Sequence, residues 1–155
     1  MIDIDATDRR ILAILQRDSS VSMDELSERV NLSRNACWRR VKNMQAEGVI
    51  KANQAILDAE KLGCGLTALV FIRAANHDPD WLEKFRRATA TIPHVVEAYR
   101  MSGDLDYMLK VQVADMRAYD RFYQQLIRKV PLADVSASFV MEEIKENRGI
   151  PLEAV

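Results

Sequence analysis

Between Ser22 and Ile50 the chain holds two amphipathic segments, each opened by a serine, set only a few residues apart and followed by Gly48. A serine in that position accepts from amides that the first turn of a helix leaves unpaired, so Ser22 and Ser33 predict two helix starts. Glu25, three residues after Ser22, predicts a capping box. Gly48 predicts the stop, because glycine takes the left-handed conformation of a helix end without steric cost. Two helices joined by so short a turn form the helix-turn-helix unit, whose second helix enters the major groove of DNA.

The second segment sorts its side chains as that reading requires. At 100° per residue Cys37, Val41 and Met44 share one stripe, whereas Trp38, Arg39, Lys42 and Asn43 fall on the other side and Arg34 and Asn35 occupy the first turn. Residues 33–54 carry five basic side chains (Arg34, Arg39, Arg40, Lys42, Lys51) against Glu47, a local charge of +4 in a chain whose net charge is −1. Phosphate neutralisation needs such a local excess. Ser22, Ser33, Arg34, Asn35, Trp38, Arg39, Lys42 and Asn43 are therefore the candidate DNA-binding residues. Arg34 suits either a guanine edge or a phosphate. Trp38, about 60° to 100° from the apolar stripe, suits either packing at the helix margin or contact with a base. The plainer alternative is a solvated basic face with no DNA role, which the caps and the turn disfavour.

The chain changes rhythm near residue 60. Before it, Asp5-Ala-Thr-Asp8 opens a helix bearing Ile11, Leu12, Ile14 and Leu15, and Val49 to Leu57 alternates imperfectly as a β wing would. Residues 1–60 are thus expected to form a winged helix-turn-helix domain. In residues 61–155, Leu66–Ala74 reads as a strand, and Asp78-Pro79 opens a helix with Trp81, Leu82, Phe85 and Ala88. Val95–Met101 reads as strand, Ser102–Leu105 as a turn and Asp106–Val113 as strand. Asp115 caps a helix with Met116, Tyr119, Phe122, Tyr123, Leu126 and Ile127, and after Pro131 a last strand is expected from about Val135 to Glu143. The order βαββαβ predicts an α+β, ferredoxin-like domain with both helices on one face of a four-stranded antiparallel sheet. The first strand is apolar on both sides, with Leu66, Ala68, Val70 and Ile72 facing one way and Leu69 and Phe71 the other. An apolar second face predicts a homodimer that covers it, which would also place two recognition helices on a pseudo-palindromic site.

Three sets of residues carry a family resemblance: Asp5-x-x-Asp8-x-x-Ile11-Leu12; Leu32-Ser33-x-x-x-Cys37-x-x-Arg40-Val41-x-x-Met44-x-x-x-Gly48-Val49-Ile50; and Gly103-Asp104-x-Asp106-Tyr107. Together they resemble the Lrp/AsnC family of feast/famine transcriptional regulators over almost the entire chain. The resemblance implies a dimer joined through the C-terminal sheets, a tetramer of such dimers (an octamer), and a small amino-acid effector held between neighbouring dimers. It implies effector-binding residues Met101, Gly103, Asp104, Asp106 and Tyr107, with Ser136 and Ser138 from the last strand. Cys37-Trp38-Arg39-Arg40 and Val111-Gln-Val-Ala-Asp-Met116 resemble the branch that contains the cysteine-responsive detoxification regulator, implying L-cysteine as effector and a cysteine desulfidase or exporter as target. One departure is the bulky opening of the recognition helix, where the family often has small or proline-containing residues. Gly and Asp are also ordinary turn formers, so Asp104 and Asp106 have a purely structural alternative. For Tyr107 the alternative is packing with Leu109 and Val111.

Composition excludes other classes. A chain of 155 residues, 48% hydrophobic and 29% charged, is neither disordered nor fibrous. No apolar run approaches the ~18 residues that span a bilayer, and Met1-Ile-Asp-Ile-Asp is acidic where a secretion signal is basic, so no membrane partner and a cytoplasmic location are expected. Cys37 is expected in the core and Cys64 as a small buried residue. With only His77 and His94 there is no metal-ligand spacing, so no metal and no cofactor beyond the effector are expected. No nucleophile stands beside a base, so an enzyme working through His94 or the Asp104/Asp106 pair is the minor alternative. A second alternative is an architectural protein that wraps DNA with little effector dependence.

Overall fold

The computed structural model describes residues 3–145 and 149–154, and it divides into two compact units, Met1–Ile56 with Lys145–Val155 and Leu57–Ile144. The division falls a few residues before 60, and the chain's last segment groups with the first unit. There the Gln16 side chain donates to the Ile150 carbonyl at 3.3 Å and accepts its amide at 2.9 Å.

The first unit contains α1 (Ala6–Leu15), α2 (Met23–Arg29) and α3 (Arg34–Ala46), each started by an oxygen-bearing cap. Ser22 accepts from the Glu25 amide at 3.2 Å and Ser33 from the Ala36 amide at 3.3 Å. The full capping box lies at α1, between Asp5 and Asp8, and not at α2, where the Glu25 carboxylate turns to Arg29 one helical turn on. Asn31, at φ 55, reverses the chain between α2 and α3, a conformation asparagine tolerates better than most residues. After α3, Gly48 at φ 73 closes the helix with its amide on the Gln45 carbonyl, and the Ile50 amide returns to Met44. Ile11, Leu26, Val30, Cys37, Val41 and Met44 form the core of this unit.

Residues 51–58, expected as the wing strand, are exposed irregular chain, and Val49 and Ile50 fold back on the core. One short segment cannot form a ladder by itself, and all four strands of the sheet lie elsewhere.

The second unit runs β1 (Leu66–Ala74), α4 (Pro79–Thr91), β2 (Val95–Arg100), β3 (Tyr107–Val113), α5 (Met116–Lys129) and β4 (Leu132–Phe139). The sheet order is β2-β3-β1-β4 with every neighbour antiparallel, the ferredoxin-like arrangement. Ala68, Val70 and Ile72 of β1 and Tyr107, Leu109, Val111 and Val113 of β3 meet Trp81 and Phe85 of α4 and Ala118, Phe122 and Leu126 of α5. Trp81 stacks on Phe85 at 5.1 Å, and its indole N–H donates to the Pro131 carbonyl at 2.6 Å. Met116 and Ile127, grouped by sequence with the buried stripe of α5, are exposed. The last strand starts and stops earlier than expected. It pairs with β1 from Leu132 opposite Ala74 to Phe139 opposite Ala68, and after the Val140 amide bonds Thr67 there is almost no β1 left to pair. Met141 is consequently 95% exposed.

Candidate nucleic-acid interface and ligand turn

The surface of α3 is built by the stripe beneath it. Burial of Cys37, Val41 and Met44 leaves Ser33, Arg34, Asn35, Trp38, Arg39, Lys42 and Asn43 exposed, with Ser22 exposed at the start of α2. Trp38 is half exposed, and the Lys42 ammonium lies 6.0 Å from its ring centroid. Such a cation over the indole face is held by the ring quadrupole, so the two side chains are presented together. Arg34 Nε stands 3.0 Å from Asp24 Oδ1, both groups being largely exposed, so its charge is shared with α2.

Arg40 differs from its neighbours. Its Nη1 donates to Asp5 Oδ2 at 2.7 Å and to Asp8 Oδ1 at 2.9 Å, and Asp8 is nearly buried. The two carboxylates hold the guanidinium even more firmly protonated, Asp8 first. Hydrogen bonds, from the Asp8 amide first and then from Arg40, hold the Asp5 carboxyl below its ordinary range. The local +4 counted from sequence therefore includes one cation already neutralised inside the unit. The signal was present in Asp5-x-x-Asp8, but nothing in the sequence says that these acids face Arg40. Burial pushes the Cys37 thiol up, as befits an inert core residue. Cys64 is exposed and not buried; its N–H donates to the Ala59 carbonyl and its C=O accepts from the Gln112 side-chain amide.

The second candidate site lies at the β2–β3 turn. Gly103 at φ 118 lets the chain reverse, and a Cβ there would meet nothing within 4 Å. The turn closes where the Met101 amide donates to the Asp106 carbonyl at 2.8 Å. Asp106 also donates its amide to Ile72 at 3.0 Å, while its Oδ2 accepts from the Ala74 amide at 2.8 Å, tying the turn to the end of β1. Its other oxygen lies 3.9 Å from His77 Nε2. Asp104 and Met101 are exposed. Tyr107 belongs to the core, with its ring 4.5 Å from Phe85 and 5.5 Å from Trp81. Ser136 and Ser138 are exposed on β4 opposite Phe71 and Leu69, on the sheet face that carries no helix. The structure thus brings Met101, Gly103, Asp104 and Asp106 together, sets Tyr107 behind them, and places the two serines further along the sheet. Among the described residues no cluster of three His, Cys, Asp or Glu groups could hold a metal, and no helix is long and apolar enough to cross a membrane.

A capped helix-turn-helix with a basic outer helix, joined to a βαββαβ domain, defines a DNA-binding transcriptional regulator with a separate ligand-binding domain. Comparison with known proteins agrees in both halves. Residues 4–51 match the winged helix-turn-helix DNA-binding family and residues 67–150 match the Lrp/AsnC ligand binding domain. The chain belongs to the Lrp/AsnC family of transcriptional regulators. It is 48% identical over 149 residues to a glutamate uptake regulatory protein of Zymomonas mobilis, covering 96% of this chain and 91% of that one. It is 43% identical over 151 residues to the DNA-binding transcriptional activator DecR of Escherichia coli, covering 97% and 99%. A transcriptional regulator of Neisseria meningitidis, solved with L-methionine, superimposes with a TM-score of 0.94 at 32% identity, covering 98% and 99%. These relatives are regulators and not enzymes, which removes the catalytic alternative for His94 and the aspartates.

Proposed function

We propose that this chain reads operator DNA with the exposed side of α3 and that a small amino acid, L-cysteine first, controls it from the β2–β3 turn. The observation that carries the reading is the division of α3 into a buried stripe and an exposed side bearing Asn35, Trp38, Arg39, Lys42 and Asn43. Arg39 and Lys42 supply phosphate or guanine contacts, Asn35 and Asn43 suit adenine edges, and Ser22, Ser33 and Arg34 lie where helix starts approach the backbone. The protein works in the cytoplasm beside the DNA it reads.

In the C-terminal domain, the turn amides around Gly103 suit an amino-acid carboxylate, and Asp104, with its oxygens free of any strand duty, suits the ammonium group. Asp106 acts here by shaping the turn and Tyr107 by supporting it from the core. Ser136 and Ser138 add polar contacts where a second copy meets the sheet. That copy covers Leu69, Phe71 and Met108 on the helix-free face, giving a dimer, and four dimers give the octamer with effector between neighbours. L-cysteine follows from the likeness to the cysteine-responsive branch. The L-methionine of the Neisseria relative is a rival of the same chemistry.

The test is thermal unfolding with each of the twenty amino acids, joined to a DNA titration at several salt concentrations. A shift with L-cysteine alone supports the reading, since a ligand that binds only the folded form stabilises it by mass action. A shift with a different amino acid replaces the effector and keeps the sensor. No shift with any, together with equal affinity for selected and random DNA, refutes the sensor in favour of an architectural DNA-wrapping protein. Arg39→Ala should weaken DNA binding and leave the oligomer unchanged.

A further inference from the structure

Arg40 is basic and stands on the recognition helix, yet it points away from the surface that α3 offers to DNA. At 100° per residue it falls about 60° from Cys37, on the opposite side of the stripe from Trp38. There its guanidinium is bonded to Asp5 and Asp8. The same two carboxylates close the start of α1: Asp5 Oδ1 accepts from the Thr7 and Asp8 amides at 2.7 and 2.8 Å, and Asp8 Oδ2 accepts from the Asp5 amide at 3.4 Å. Each acid therefore uses one oxygen to hold α1 and the other to hold α3.

The rest of the α3 contact, through Cys37, Val41 and Met44, is apolar, and the hydrophobic gain that holds it is non-directional. Charge-assisted bonds to a planar guanidinium are directional. Rolling α3 by 10° would carry a side-chain end ~6 Å from the axis by about 1 Å, enough to spoil a bidentate contact with a base edge. The Arg34–Asp24 pair also joins α3 to a neighbour, but its groups are two-thirds exposed and free to let go.

We propose that Arg40 is a positioning residue for sequence readout: bound to Asp5 and Asp8, it sets the roll of α3 against α1 and neutralises no phosphate. This rests on the reading that the exposed side of α3 meets DNA, and the experiment separates the two. The full chain and its Arg40→Met, Asp8→Asn and Arg39→Ala variants are titrated against a duplex selected from a random pool by the wild type and against a random duplex. Each titration is repeated over a salt series, with circular dichroism confirming the fold at the working temperature.

Arg39→Ala should lower the salt slope by about 0.9, the loss of one phosphate contact. Arg40→Met should leave the slope within about 0.3 of wild type, while the ratio of selected to random affinity falls about tenfold, the weight of roughly one base pair. Asp8→Asn should lower that ratio by weakening binding to the selected duplex although it makes the unit more positive, whereas a phosphate contact by Arg40 would strengthen binding to both duplexes. A slope reduced by about 0.9 in Arg40→Met with the ratio intact would overturn the proposal, as would an unchanged ratio in both variants. If Arg39→Ala alters nothing while Arg40→Met lowers the ratio, the assignment of the DNA-facing side fails and the clamp stands. Should Arg40→Met unfold, Asp8→Asn decides the outcome.

Discussion

Replacing Asp106 separates the two roles that sequence leaves open for it. Its carboxylate accepts from the Ala74 amide at 2.8 Å, while its own backbone bonds to Ile72 and Met101 do not depend on the side chain. Asp106→Ala removes the first bond only and leaves a half-buried amide without an acceptor. An orphaned donor costs about 1–3 kcal/mol, and partial access of water to Ala74 places this case near 1–2 kcal/mol. For a unit of this size that is a fall in Tm of roughly 5–15 °C. Asp106→Asn keeps a side-chain oxygen in the same place and should melt within about 2 °C of wild type. Trp81, buried against Phe85, reports unfolding of this unit by its emission in a Trp38→Phe background. With the responding amino acid added, Asp106→Asn should still be stabilised, whereas Asp104→Asn should lose the response at unchanged basal Tm. The reasoning is refuted if Asn destabilises as much as Ala, or if Asp106→Asn melts normally and no longer responds, for then the charge itself holds the ligand.

Gly103→Trp should abolish the amino-acid response and leave the fold in place: a side chain at φ 118 is strained by about 1–2 kcal/mol but its Cβ meets nothing within 4 Å, and circular dichroism beside ligand titration checks both halves. Phe122→Ala, at a fully buried position between helix and sheet, should cost about 3–5 kcal/mol in denaturant unfolding, and a loss below 1 kcal/mol would show that the core collapses to fill the space. Asp5 and Asp18 have carboxyls held below the ordinary value of 3.8, so their contribution to the first unit is complete at neutral pH and is lost as pH falls through their lowered values. Asp5→Asn, which still caps α1, should make that unit's acid unfolding less steep, and an unchanged acid profile would show that the charge on Asp5 is immaterial.

Local chemistry made much of the fold readable. The caps at Asp5, Ser22, Ser33, Asp78 and Asp115 act within three residues of themselves, so a reader of the chain meets cap and amide together. The stripe Cys37, Val41, Met44 and the βαββαβ order rest likewise on periods of a few residues. Elements that depend on a remote partner were not readable. The wing segment lacks a ladder because no second strand is beside it, and β4 stops at Phe139 because β1 does. At the ligand turn, Gly103 and the aspartates were visible as a reversal. That Asp106 binds the Ala74 amide, 32 residues away, was not.

The sequence by itself determined where helices start, which side of α3 is buried and that a basic surface faces outward, since all three follow from neighbours along the chain. Only the tertiary structure decided which of the basic residues remain available to DNA. Asp5 and Asp8 lie 35 and 32 residues from Arg40 in the chain, and it is the tertiary fold of the first unit that brings opposite charges within 3 Å and neutralises that cation.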